Sequence, residues 1–479
     1  MRFVIFFAIA CVLVAEEKPA KLPADLQQAV DLAMSAPPEF TADALLWLVA
    51  SGKIESRDAK REWVDIAFRV AARAQHAVRL VSIPGRVNDT RSGYLASALR
   101  LKLDALSLQS RAVEAMLALD KKAAREMFAQ MLRTPFERLS CEATLVPDTA
   151  PYHEVSTRIV QDTFSGDERT KGRHAEFVVG LIDRISSHVE LGPAAQTIAA
   201  MEWTPGQFEI VAGAFLSKLQ SLSPDDRSFV SGVRNLDQAI GQLVFRARQN
   251  QAHPERIAEA YRSYLVANLA APRCADNMGV RASAVAGDVD VFGDAIRGEL
   301  APLSASETRS KKIEAAAKLE HYWESESAKS VFEQCMKLRS GADGQTLSEA
   351  ARSTREWKRE LADFLGVLEN WSVGDEKSEA DYYHQRAIVY EALLELTPPG
   401  EQRNRVLNGY INFMVSSNLQ QQSPVEWYWH AHSTLHRIRP TQPAEGRRIL
   451  EAFAASGSLI LTLEAMLDRL APDYSMFPQ

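Results

Sequence analysis

The segment Asp120-Lys121-Lys122-Ala123-Ala124-Arg125-Glu126-Met127-Phe128-Ala129-Gln130-Met131-Leu132 decides the fold. Ala124, Met127, Phe128, Met131 and Leu132 recur at i, i+3, i+4, i+7 and i+8, which puts all five on one helical face. Asp120 supplies an N-cap and Pro135 a stop. Tyr94 to Leu119 carries the same period, so the whole stretch reads as helix, turn, helix. A hairpin this short has an apolar side on each helix and cannot bury both alone, so it must stack on neighbours. The pattern recurs almost to the C-terminus. The chain is therefore expected to be all-α, built of stacked antiparallel helical hairpins in an irregular α-solenoid with no substantial β-sheet.

Toward the N-terminus, Leu22 to Gln75 reads as three helices, the third burying Trp63, Ile66, Ala67 and Val70, and residues 78–92 read as a loop. Downstream, Arg138 to Tyr152 is irregular. Helix starts are then marked at Thr204-Pro205-Gly206-Gln207 and Ser223-Pro224-Asp225-Asp226. Ser304 with Glu307, Thr346 with Glu349 and Ser423 with Glu426 have capping-box spacing. Small residues, Gly279 and Gly287 interrupt the periodicity over 271–290. This interruption is read as a loop or hinge between helical arrays 21–270 and 291–479.

Of the 479 residues, 46% are hydrophobic and 24% charged, the balance of a chain able to build a core. Arg2, an apolar run from Phe3 to Val14 and the small residues Ala15 and Ala20 before polar sequence have the order of a secretory signal within residues 1–20. Cys11 only partly fits a lipoprotein box. Twelve apolar residues are too few for a comfortable membrane span, and no later stretch is longer. The expected protein is periplasmic or secreted. A cut after Ala15 removes Arg2 and no acid, which deepens the net charge of −7 by one unit. No basic patch with interleaved aromatics appears, which argues against a nucleic-acid partner.

Three cysteines remain after such a cut. Cys141 and Cys274 occupy loop positions and are the expected bridge, while Cys335 sits on a helical face with Phe332 and Met336 as a small buried hydrophobe.

Chemistry-bearing residues cluster at Glu426-Trp427-Tyr428-Trp429-His430-Ala431-His432, with His436 beyond. At 100° per residue His432 and His436 share a face, while His430 lies about 200° around from His432, so one ion cannot take all three. His432 and His436 form half a metal site without an evident third ligand. Trp427, Ala431, Leu435 and Ile438 are expected to face inward with the histidines at the flank. Trp427 and Trp429 are also candidates for an interaction anchor. Asp288, Asp290, Gly293, Asp294 and Glu299 match positions 1, 3, 6, 7 and 12 of a calcium loop, although Phe292 occupies position 5. Nucleophile elbows, zinc-protease helices and phosphate loops are absent from the sequence.

These readings assign no catalytic residue and imply no cofactor. They favour an exported helical scaffold that binds a protein or an envelope polymer. The alternatives are a cell-envelope hydrolase with a site assembled from separated helices, and a two-lobed binding protein hinged at 271–290.

Overall fold

The computed structural model of the protein describes residues 22–80, 89–131, 135–274, 321–340, 344–372 and 378–470, with a few residues between 303 and 313. Helices α1 (Ala24–Ser35), α2 (Pro38–Ala50) and α3 (Arg57–Ala71) come first. Strand β1 (Val78–Leu80) precedes α4 (Arg91–Ala98), α5 (Ala105–Leu119) and α6 (Lys121–Ala129). Strand β2 (Leu145–Pro147) then leads into α7 (Ala150–Thr163), α8 (Gly166–Thr170), α9 (Arg173–Asp183), α10 (Leu191–Ala199), α11 (Pro205–Ser221), α12 (Ser228–Gln249) and α13 (Pro254–Ala270). The C-terminal part holds α14 (Glu326–Arg339), α15 (Glu349–Arg352), α16 (Arg355–Asn370), α17 (Glu379–Leu396), α18 (Glu401–Ser416), α19 (Leu419–Gln422), α20 (Pro424–Ile438), α21 (Pro443–Ala455) and α22 (Leu459–Leu470). The fold is all-α, as expected. Its described sheet structure is limited to an antiparallel β1–β2 ribbon and a two-residue parallel pairing of Arg273–Cys274 with Lys312–Ile313.

Side-chain caps start many of these helices where the sequence places them. Asp120 accepts from the Ala123 amide at 3.0 Å, and Thr204 and Gln207 form a full capping box. Ser304 and Glu307 bond reciprocally as well, at 2.9 and 3.3 Å. Elsewhere the tertiary structure moves the boundary. The expected helix from Tyr94 to Leu119 breaks at Lys102, whose backbone is left-handed (φ 57°), and α5 restarts from an Asp104 cap on the Ser107 amide at 2.8 Å. Helix α12 begins at Ser228 instead of beside Ser223, because Asp226 spends one oxygen on the amides of Ser228 (2.8 Å) and Leu139 (3.2 Å). Ser348, not Thr346, caps α15. The buried face of α3 is Val64, Ala67, Phe68 and Ala71, so Trp63, Ile66 and Val70 lie at its edge.

Two large cores result. One joins Leu45, Trp47, Leu108 and Phe128 to Leu361, Tyr390, Tyr410, Trp427, Phe453 and Leu461. The other is formed within residues 160–269, around Phe208, Phe215, Phe229, Leu236 and Tyr261, with Leu303 added. The first core thus draws helices from both sides of 271–290. Helix α1 packs on α22, and the Phe40 ring meets Tyr428 edge-on at 5.1 Å. Most of 271–290, from residue 275 on, is outside the described residues.

One close approach tests this packing. In α12, a Cβ on Gly232 would overlap the carbonyl of His188, whose fully buried ring bonds the Tyr264 hydroxyl at 2.8 Å and the Ser223 carbonyl at 2.9 Å. Gly232→Ala is expected to destabilise by about 1–3 kcal/mol through overpacking. Gly213→Ala, in α11 with open space around it, should gain about 0.5–1 kcal/mol. Denaturant midpoints of the two variants moving in the same direction would contradict this account.

Candidate metal centre

Helix α20 carries the chemistry, and it does so on two opposed faces. Residues four apart advance by about 40°, so Glu426 and His430 share one face while Tyr428, His432 and His436 share another, about 200° away. The reciprocal capping box expected of Ser423 and Glu426 does not form: Ser423 makes no cap to the helix amides, and Glu426 accepts from His384 instead.

On the first face, α20 meets α17 and α4. His384 Nε2 lies 2.8 Å from Glu426 Oε1, His384 Nδ1 lies 3.1 Å from His430 Nε2, and His430 Nδ1 lies 2.5 Å from Glu391 Oε1. Tyr94 covers the pair, stacked on His430 at 4.3 Å and 3.9 Å from His384. Both rings are fully buried. Burial depresses the His384 pKa to about 4 against the pull of Glu426. Burial works to raise that of Glu426, and the bond and charge of His384 together with Arg91 and the Ser423 hydroxyl outweigh it, leaving a net lowering. Three gaps link these four groups, and each gap requires one proton. Arg91, 4.0 Å from Glu426, and Arg437, 3.7 Å from Glu391, flank the two ends. Fully bonded in this way, the row is a buried polar tie between helices. Tyr382, Tyr383 and His384 are all buried because α17 is covered on several sides.

On the second face, α20 meets α22. The rings of His432 and His436 lie 4.0 Å apart, and Glu464 projects from α22 toward them. One ligand atom from each of these three residues lies within 4.8 Å of the other two. A tetrahedral ion with bonds of about 2.0 Å holds its ligand atoms roughly 3.3 Å apart. The three atoms would close by up to about 1.5 Å on taking up an ion.

The electrostatics suit a cation. Burial, reinforced by the neighbouring His436, pushes the His432 pKa down to about 3, and partial burial of its ring, with Arg439 nearby, lowers that of the more open His436 as well. Both rings are therefore neutral ligands at pH 7. Burial raises the Glu464 pKa to about 7, with Asp43 and Asp468 adding to the effect, and a divalent ion would favour its ionised form. The Tyr428 hydroxyl donates to Glu464 and orients the carboxylate. Asp43 is held by Arg111 at 2.6 Å, and Asp468 is held by Arg439.

The structure thus brings together the expected His432 and His436, adds Glu464, and separates His430 from them. His430 and His432 are buried and not at a flank, because α4, α17 and α22 cover both sides of α20; His436 alone of the three is exposed. Glu464 carried a signal in the sequence: it is an acid on the apolar face of α22, between Ile460, Leu461 and Leu467. Trp427 is fully buried and donates to the Met414 carbonyl at 2.9 Å, so it is a core residue and not an outward anchor. Trp429 is half-buried against Tyr94. Asp288, Asp290, Asp294 and Glu299 lie outside the described residues. Cys335 is free and buried beside Val331 and Leu338, whereas its expected companions Phe332 and Met336 are exposed. Burial pushes its thiol up to about 11. No described helix is long and apolar enough to cross a membrane. Compared with family models, with curated proteins and with solved structures, the chain matches none.

Proposed function

We propose that this protein is an exported scaffold of stacked helical hairpins, an irregular solenoid closed by contact between α1 and α22, that binds a protein or an envelope polymer and holds a zinc ion at His432, His436 and Glu464. The convergence of those three ligand atoms carries the metal assignment. Two imidazoles and one carboxylate are ordinary zinc ligands. An ion there would join α20 to α22 and so fasten the end of the chain that α1 packs against. Pairing of successive helices supports the scaffold reading, and the leader-like residues 1–20 support export.

Crosslinked affinity purification of the mature protein from its native envelope, with metal content measured on the same sample, tests this reading. Stoichiometric zinc and one co-purifying partner support it; neither zinc nor a partner overturns it. A second reading, a metal-assisted hydrolase of envelope material, is favoured by the ligand count, because three protein ligands leave a fourth position for water. Zinc-dependent turnover of an envelope substrate would select that alternative.

A Cys141–Cys274 bridge belongs to the same proposal. Non-reducing digestion should give one peptide pair linking these two residues. Cys335 should resist alkylation until the protein unfolds. A Cys335-containing disulfide would refute the pairing.

A further inference from the structure

A second polar site lies where the β1–β2 ribbon meets the first turns of α5 and α7. It is a cavity of about 500 Å³, inside the roughly 300–1,000 Å³ range of small-molecule sites. Its charged lining is balanced: Arg79, Arg100 and Lys102 against Asp104, Asp148 and Glu154. Opposite charges around one cavity ordinarily pair with one another. Among the described residues, none of these six is in an ion pair.

The backbone explains why they stay apart. Arg79 is fixed on β1 by its pairing with Val146. Asp104 is fixed as the α5 cap, with Oδ1 on the Ser107 amide, and Asp148 is fixed at the start of α7 by the Ala150 amide at 3.3 Å. Lys102 follows a 3-10 turn and is set by its left-handed backbone. Two atoms are conspicuous in consequence. Asp104 is 1% exposed, yet its Oδ2 is buried without a partner, and so is Arg79 Nε. A buried carboxylate oxygen and a buried guanidinium nitrogen left in this state call for a donor and an acceptor respectively.

We propose that this cavity binds a small zwitterion, an amino acid or the free ends of a dipeptide, with its carboxylate on Arg79 and its ammonium group on Asp104. Arg100 and Lys102 add positive charge to the same lining, and Asp148 and Glu154 add negative charge, so the cavity offers both signs to a ligand that carries both. Val78, Leu80, Leu99 and Pro151 in the lining offer apolar wall to a small side chain. The site is separate from the metal centre on α20 and α22 and stands whether or not metal binds there.

Isothermal titration of the mature protein with alanylalanine, N-acetyl-alanylalanine and alanylalanine amide tests the proposal. Alanylalanine should bind, and blocking either end should weaken binding at least about tenfold. Arg79→Gln keeps the strand pairing, and Asp104→Asn keeps a capping side chain. Each should lose at least about tenfold in affinity with little change in melting temperature. Absence of alanylalanine binding, or equal binding of the free and blocked peptides, overturns the proposal. Loss on amidation alone overturns it too, since that result describes an anion site.

Discussion

Replacing His432 with alanine is expected to abolish stoichiometric zinc binding and, with it, the stabilisation that zinc provides. Free zinc at about 100 times its dissociation constant stabilises a one-site protein by about 2.7 kcal/mol. A chelator should therefore lower the melting temperature of the wild-type protein and leave His432→Ala unaffected. Glu464→Gln is the sharper variant. It removes the ligating charge but keeps side-chain volume beside Tyr428, and it should also lose the chelator effect. His430→Gln, on the opposite face of α20, should retain the metal even where it destabilises the fold. Equal zinc content in wild type, His432→Ala and Glu464→Gln would sink the assignment.

The second large effect is expected at the opposite face. His384→Leu removes the middle of the buried row and strands Glu426, which is 2% exposed. Breaking a buried pair by deleting one partner costs about 3–5 kcal/mol, because the remaining charge stays in a poorly solvating interior. The double variant His384→Leu with Glu426→Leu removes the stranded carboxylate and should recover part of that loss, since an apolar pair of similar size needs no partner. The sign of the coupling is the informative quantity. Denaturation followed by tryptophan fluorescence provides the readout, with Trp427 buried on the same helix. A double variant no more stable than His384→Leu alone would show that the stranded charge is not the source of the cost.

Both expectations depend on pairs of helices, and this marks where local sequence stops being informative. Helices, and most of their buried faces, follow from periodicity and caps acting within a few residues. Of Trp357, Leu361, Phe364, Leu365 and Leu368, which share one helical face, all but the half-buried Leu365 are buried as their spacing requires, and Thr204 with Gln207 caps α11. Local signals failed where a distant segment competed for the same group. Asp226 is drawn away to the Leu139 amide, and at the α5 restart the Ala105 amide bonds the distant Gln75 carbonyl.

The sequence by itself determined an all-α chain, the sharing of one face by His432 and His436, and the exclusion of His430 from it, because these depend only on a fixed rotation of about 100° per residue. Only the tertiary structure decided that Glu464 completes the His432–His436 pair, that His430 finds His384 and Glu391, and that Arg79 and Asp104 face one cavity. In each case the partner stands on another segment, and its direction is set by how helices and strands pack, which no spacing along one helix encodes.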